Sequence, residues 1–546
     1  MRGLMMDYPL TIPAMVRRAA TLFPHKRVVS RRPDRSIDRR SYADVLDRAR
    51  RLQVALQRLG VARGDRVATL AWTHHRHLEA YLAVPSMGAV LHTLNLRLHP
   101  DDLAYIVRDA EDRVLLVDES LLPLLDTVRA QVTIPLVVVF GSGGVTPPGC
   151  LDYEMLLANA DPSHAVEVAI DELEAAAMCY TSGTTGQPKG VVYSHRAIVL
   201  HSMAEGMADC IGLSRNDCVL PVVPMFHVNA WGLPYAATFL GSDQVLPGPH
   251  LDAKSLADLL ATERVTVAAG VPTVWLALLA ELDAQPGAYD LRALRTLAIG
   301  GSAAPVALIR GFQERHGIQV LHAWGMTEMT PIGTVCTVPD RLRALPPDDQ
   351  YRYRARQGTP LPLVEIRARG DTGLTPWDDQ TLGELEVRGA WVAAQYYHGQ
   401  PDDGRFTVDG WFKTGDIVRI SPDGCVELVD RAKDLVKSGG EWISSVALEN
   451  ALMGHPAVAE AAVVAVPHPT WDERPLAAVV LRPGHQATAE ELRTFLAPHF
   501  ASWWLPDTVE FVDAIPRTSA GKFQKSVLRD QYRDRYGAGA ASPEDR

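Results

Sequence analysis

Apolar residues recur at helical spacing over residues 41–59, where Tyr42, Val45, Leu46, Ala49, Leu52, Ala55 and Leu56 share one face and Gly60 and Gly64 close the segment. A buried strand is predicted at 66–72, and the next helical pattern carries Leu78, Tyr81, Leu82 and Val84. Short apolar runs then follow at 114–117, 136–140, 175–179, 191–193, 217–223, 265–269, 297–299 and 320–323, with an apolar helix at 272–282. Strands alternating with helices predict an α/β fold with largely parallel sheets, whose strand-end loops converge on one site. From 359 to 429 the period changes. Val364, Ile366 and Ala368, then Leu385 and Val387, alternate with charged residues, as half-exposed antiparallel strands do. Residues 341–356 read as a charged connector with a solvated face. Beyond 430 a helix at 444–453, a strand at 458–466, a helix at 489–496 and a terminal basic helix make a small α/β unit. The expected division is a large domain at 1–430 with its β-rich subdomain at 359–429, a linker at 431–436, a small domain at 437–536 and a disordered tail at 537–546.

A chain of 546 residues exceeds the roughly 250–300 residues at which single cores stop growing, which supports more than one domain. A net charge of −11 excludes a general nucleic-acid binder, which would be basic. The six cysteines are dispersed without zinc spacing and read as reduced thiols. No run reaches the roughly 18 apolar residues of a membrane span, and residues 1–24 lack the apolar centre of a signal peptide. A cytoplasmic protein is expected, free to touch a membrane surface to collect a lipid. His74, His75 and His77 cluster at a corner that reads as exposed. With no carboxylate or cysteine at ligand spacing, they do not read as a metal site.

The densest chemistry lies between two of the predicted strands, in Thr181-Ser182-Gly183-Thr184-Thr185-Gly186-Gln187-Pro188-Lys189-Gly190. Glycines let the backbone approach a ligand, hydroxyls donate to phosphate oxygens, and Lys189 adds a charge. The spacing is not that of a Walker A loop, because Pro188 stands where the second glycine is needed. A loop holding polyphosphate while another group attacks the α-phosphorus is the reading that remains. Further along come Phe226-His227-Val228-Asn229-Ala230-Trp231-Gly232, Gly300-Gly301-Ser302, Trp324-Gly325-Met326-Thr327-Glu328, Lys413-Thr414-Gly415-Asp416, Asp430-Arg431 and Pro516-Arg517-Thr518-Ser519-Ala520-Gly521-Lys522.

Taken in this order, these segments resemble the signature set of the adenylate-forming superfamily, and among its members the bacterial long-chain fatty acyl-CoA synthetases, with medium-chain and methylmercaptopropionate ligases as near relatives. The resemblance implies a large α/β domain and a small mobile C-terminal domain. It also implies a two-step reaction. A fatty carboxylate attacks the α-phosphorus of ATP to give acyl-AMP and pyrophosphate, and CoA then displaces AMP. By the same resemblance Thr181, Ser182, Gly183, Thr184, Thr185, Gly186 and Lys189 cradle phosphates, and Thr181 and Glu328 hold Mg2+. Thr327 bonds the α-phosphate, and Gly301, His322, Ala323 and Trp324 line adenine. Asp416 and Arg431 take the ribose, while Lys437 and Trp442 contact nucleotide. His227 and Lys522 are implied as catalytic, with Lys522 acting in the first step only. Val228 and Trp231 border the nucleotide, Trp231 as gate of an acyl tunnel or as plain core, and Lys433 marks the hinge. Gly232, which is Cys in some relatives, sits at the tunnel mouth. The segment 226–232 carries no acid that would pair a substrate ammonium, which favours a plain carboxylic acid. A ligase for a short, methylthio or aryl acid and a non-catalytic nucleotide-binding module are the alternatives. A homodimer is expected from the resemblance alone.

Overall fold

Two large sheets carry the N-terminal part of the chain. The computed structural model describes residues 1, 3–141, 146–181, 187–399, 404–439, 441–517 and 523–536. Ser182, Gly183, Thr184, Thr185, Gly186, Lys522 and the tail at 537–546 therefore lie outside the described residues. The first sheet has seven strands in the order Leu151–Asp152, Leu136–Phe140, Val114–Asp118, Arg66–Leu70, Val90–Thr93, Ala175–Tyr180, Gly190–Ser194. All neighbours are parallel except the last pair, the antiparallel hairpin that carries the glycine-rich loop. The second sheet has nine strands, with a parallel centre that includes Cys218–Pro221, Val267–Gly270, Thr296–Ile299 and Gln319–Gly325. Helix Tyr42–Arg58 forms as its pattern predicts: Ser41 and Asp44 close a capping box, and Tyr42, Leu52 and Leu56 are fully buried. Helix Pro272–Ala284 starts on a proline, which needs no hydrogen bond there, and buries Trp275 completely. The Trp275 indole donates to Gly270 O and Ala298 O at 3.1 and 3.2 Å, so this side chain is core and not tunnel wall.

Residues 364–431 form an antiparallel five-stranded sheet in the order Gly373–Leu374, Val364–Gly370, Gly383–Gly389, Phe412–Ile420, Val426–Arg431. In Phe412–Ile420 burial alternates strictly, as period-two patterning requires. The small C-terminal sheet pairs Val458–His468 with Asp472–Leu481 and is packed by helices Ser445–Leu452, Ala489–Leu496 and Lys525–Tyr532. Among the described residues no helix is long and apolar enough to cross a membrane.

One expectation holds only in part and one fails. The connector at 341–356 is exposed over most of 341–348, as a solvated face is, but it also holds helix Pro347–Arg354 with Tyr351 buried. At its end Arg356 bridges Asp379 at 2.8 Å and Glu427 at 3.1 Å on the β-rich sheet. Partners distant in sequence hold an arginine-rich run that has no apolar period of its own. The histidine corner is buried, not exposed. His77 is fully enclosed between Thr69 Oγ1 at 2.9 Å and Trp72 O at 3.1 Å, and burial drives its imidazole down to about 3. His74 lies 2.9 Å from Asp118, a carboxylate distant in sequence. Together these rings pin the corner between strand and helix.

Candidate active site

The loops at the strand ends enclose a cavity of about 1040 Å³ between the two large sheets, the β-rich sheet and the small domain. That is the upper end of the range for small-molecule sites and has room for more than a nucleotide. Thr181, Lys189, His227, Val228, Trp231, Gly301, His322, Ala323, Trp324, Thr327, Glu328, Arg431 and Lys433 all border it. Hydrogen bonds at the strand ends close the base of the glycine-rich loop: Thr181 N–H donates to Lys189 O at 2.9 Å, and Lys189 N–H donates to Thr181 Oγ1 at 3.1 Å. Of the seven residues between, 182–186 belong to those not described.

Glu328 is buried and accepts a hydrogen bond from the Tyr396 hydroxyl at 2.6 Å. The same Tyr396 ring lies under the Lys189 ammonium, 4.6 Å from its centroid. One aromatic therefore fixes both the expected metal-binding carboxylate and the phosphate-binding cation. No motif or period in the chain marks Tyr396, because it sits in an irregular stretch between two sheet strands and acts only through space. The Tyr193 hydroxyl holds Thr327 O at 2.7 Å, and the Thr330 hydroxyl donates to Trp391 O at 2.8 Å, which anchors the 327–330 loop from two sides. Among the described residues no three His, Cys, Asp or Glu side chains form a metal cage.

Asp416 is fully buried and stands behind the cavity wall rather than on it. The Trp324 indole donates to its Oδ2 at 2.8 Å, and Arg431 Nε lies 2.5 Å from its Oδ1. One carboxylate thus orders two wall residues drawn from separate sheets. His322 Nδ1–H donates to Ala355 O at 2.9 Å, and burial lowers its imidazole, so the ring is neutral. Lys433 lies in the turn after Arg431, and burial lowers its ammonium from the ordinary value. Lys437 and Trp442 do not reach the cavity. They pair across the hairpin Val436–Ser438 and Glu441–Ile443, where the ammonium sits 4.7 Å from the exposed indole.

The most unusual backbone lies at residues 228–231. Val228, Asn229, Ala230 and Trp231 have φ of 46°, 53°, 50° and 58° in succession. This left-handed turn costs roughly 1–2 kcal/mol per residue for side chains with a Cβ, and such strain concentrates at functional positions. Of Val-Asn-Ala-Trp only Asn229 is of a type that favours this region. The turn directs Trp231 toward Gly300, where a Cβ would stand 3.0 Å from the indole Cη2. Gly232 ends the turn at φ 83° and does not face the cavity. A Cβ there would meet His201 Nδ1 at 2.7 Å and Glu205 Oε1 at 3.0 Å, so the tunnel-mouth expectation for this position is corrected. Burial keeps this pair uncharged: His201 is driven down to about 3 and Glu205 well above the carboxylate range. Gly232→Ala is expected to cost about 2–4 kcal/mol from strain and overpacking. A lowered thermal midpoint would show it, and an unchanged midpoint would contradict this packing.

The description "AMP-binding enzyme" is that of the family model that matches residues 16–397, and its C-terminal counterpart matches 447–522. The chain is 52% identical to a long-chain-fatty-acid–CoA ligase of Thermus thermophilus over 98% of this chain and 97% of the relative. It is 43% identical to a medium-chain-fatty-acid–CoA ligase of Ectopseudomonas oleovorans over 98% of each. Among solved structures, ATP-bound MatB from Rhodopseudomonas palustris superposes with a TM-score of 0.81 at 28% identity, covering 96% of this chain and all (100%) of that one.

Proposed function

We infer that this chain, which belongs to the AMP-binding enzyme family, is an AMP-forming acid–CoA ligase acting on medium- to long-chain fatty acids. Support for the reaction class comes from the family and from relatives that align over nearly the whole chain. The observation that carries the residue assignment is a single cavity shared by Lys189, Thr327, Glu328 and Arg431 with the apolar Trp231, Pro272 and Leu276. Polar groups for a nucleotide and an apolar wall for an acyl chain thereby meet in one place.

In this reading the fatty carboxylate attacks the α-phosphorus and pyrophosphate leaves. Displacement at phosphorus spreads negative charge over the phosphoryl oxygens, so the protein's task is to place and neutralise that charge. Lys189, with Thr181, Ser182, Thr184 and Thr185, holds the departing pyrophosphate. The Thr327 hydroxyl and Lys522 serve the α-phosphate. Glu328 and Thr181 supply one carboxylate and one hydroxyl, a donor set suited to a magnesium ion that is shared with polyphosphate. That ion neutralises phosphate charge when bound. Trp324 and neutral His322 flank the base, and Asp416 orders this wall through Trp324 and Arg431. CoA thiol then displaces AMP, with the small domain turning about the 431–436 linker between the two steps. The chain acts in the cytoplasm as a homodimer.

A series of straight-chain acids from C4 to C18, measured as kcat/KM with ATP and CoA, tests the substrate assignment. Each methylene bound in an apolar tunnel contributes about 0.8 kcal/mol, or roughly fourfold. A rise across the medium lengths to a plateau or maximum at C8 or longer is expected. A maximum at C4, or faster turnover of an aryl or methylthio acid than of any fatty acid, would contradict it.

A further inference from the structure

Lys525 opens the terminal helix Lys525–Tyr532, and its side chain is 11% exposed. Its ammonium lies 2.7 Å from Glu449 Oε1 and donates to Ser445 Oγ at 2.6 Å. Ser445 donates both its hydroxyl and its N–H to Asp430 Oδ2, at 2.6 and 2.7 Å. Asp430 belongs to strand Val426–Arg431, on the large-domain side of the boundary, whereas Ser445 and Glu449 belong to helix Ser445–Leu452 of the small domain. One buried cation therefore ties the terminal helix to a second helix and, through Ser445, to the boundary strand. One helical turn further on, Arg529 repeats the connection with Asp434 at 2.5 Å.

Both ends of this network lead to the active site. On one side Asp430 is followed by Arg431, which meets Asp416 and through it Trp324. On the other, Lys525 lies just beyond a stem in which Arg517 and Phe523 pair as an isolated antiparallel bridge and Gln524 N–H donates to Pro516 O at 2.7 Å. The Arg517 guanidinium stacks 5.1 Å from the Phe523 centroid and pairs with Glu460 at 2.5 Å. Phe523, Lys525, Glu449 and Glu460 border the cavity.

Burial alone would lower the Lys525 ammonium, but Glu449, Asp430 and Asp434 outweigh it and hold the group charged. Burial raises the Glu449 carboxyl to about 7 against the pull of Lys525 and the Val463 N–H. A buried ion pair is a poor source of stability compared with apolar packing of the same volume, and its best-attested use is to select one arrangement over others. Here the arrangement selected is the one in which the Arg517–Phe523 stem faces the nucleotide cavity.

We propose that Lys525 is a positioning residue for acyl-AMP formation: its ammonium, seated on Glu449 and Ser445, locks the terminal helix and the stem before it to Asp430 of the boundary strand. The inference rests on the acyl-CoA ligase reading above. It predicts an asymmetry between half-reactions that a purely structural cross-link within the small domain would not produce. Release of the lock disfavours the arrangement used for adenylation and leaves the one used for thioester formation free to form.

The test uses the full chain and its Lys525→Met, Lys525→Arg and Ser445→Ala variants. Two rates are measured: dodecanoate-dependent ATP–pyrophosphate exchange, and thioester formation from supplied dodecanoyl-AMP and CoA. Lys525→Met is expected to lose about 50-fold in exchange, within the usual range for coupling between sites, with thioester formation within about threefold. Lys525→Arg, which keeps the charge on a longer side chain, should restore at least about a third of the exchange. Ser445→Ala removes the bridge without touching a charge and should lower exchange alone by about fivefold; it decides the matter if Lys525→Met fails to fold. Equal loss of both rates, no loss in either, or no rescue by arginine would overturn the inference. Absence of dodecanoate-dependent exchange in the unsubstituted chain would overturn the ligase reading and the inference with it.

Discussion

Lys522→Ala is expected to lower fatty-acid-dependent ATP–pyrophosphate exchange by about 10³-fold, the scale on which preorganised charge stabilisation acts. Thioester formation from supplied acyl-AMP and CoA should stay within about threefold, because no phosphoryl transfer occurs in that step. The contrast follows from where negative charge develops. In the first step the α-phosphate passes through a pentacoordinate arrangement whose oxygens need a cation beside them. In the second a thiolate attacks a carbonyl and AMP leaves already formed. The residue after Lys522, Phe523, borders the cavity, and its partner Arg517 is held by Glu460. Measuring both half-reactions on one preparation removes the ambiguity of a folding defect. Equal loss in both would refute the division of labour.

Asp416→Ala is expected to raise KM for ATP by about 30-fold, equivalent to roughly 2 kcal/mol, with a smaller change in kcat. The carboxylate is fully buried and is the acceptor for the Trp324 indole and the partner of Arg431. Removing it leaves a guanidinium without its counter-charge and an indole N–H without its acceptor. Breaking one side of a buried ion pair costs about 3–5 kcal/mol when both charges are enclosed. Arg431 is 37% exposed and can turn to water, which reduces that cost. The loss falls on nucleotide binding because both released side chains border the cavity. Calorimetric titration with AMP checks the same point without turnover. An unchanged nucleotide affinity would show that the wall is ordered by something else.

The elements with strong periodicity were legible in the chain. Helix Tyr42–Arg58 and strand Val364–Gly370 formed on the faces their patterns prescribed. The parallel sheets followed from strands alternating with helices, because such strands can be joined only by crossovers. Helix Pro347–Arg354 was not legible, since no apolar stripe marks it and Tyr351 is its one buried residue. The histidine corner misled for a different reason: Asp118, which seats His74, is remote in sequence on a neighbouring strand, and the enclosure of His77 against Thr69 depends on packing. For the site, motif spacing marked the residues that now share the cavity. It could not mark Tyr396, which joins Lys189 to Glu328 only in space, nor the left-handed turn at Val228–Trp231, where Asn229 alone is of a type that favours positive φ. Asp416 was expected to face a ribose. Its place behind Trp324 and Arg431 depends on how two sheets meet, which spacing does not encode.

In the proposed reaction this cavity joins a fatty carboxylate to AMP before CoA is involved. The most direct measurement is ATP–pyrophosphate exchange by the full chain with dodecanoate present and CoA absent. Exchange that appears only when the fatty acid is added, and that leaves AMP as the nucleotide product once CoA is supplied, is the predicted result. Exchange absent with every carboxylate tried, or ADP released instead of AMP, would contradict it.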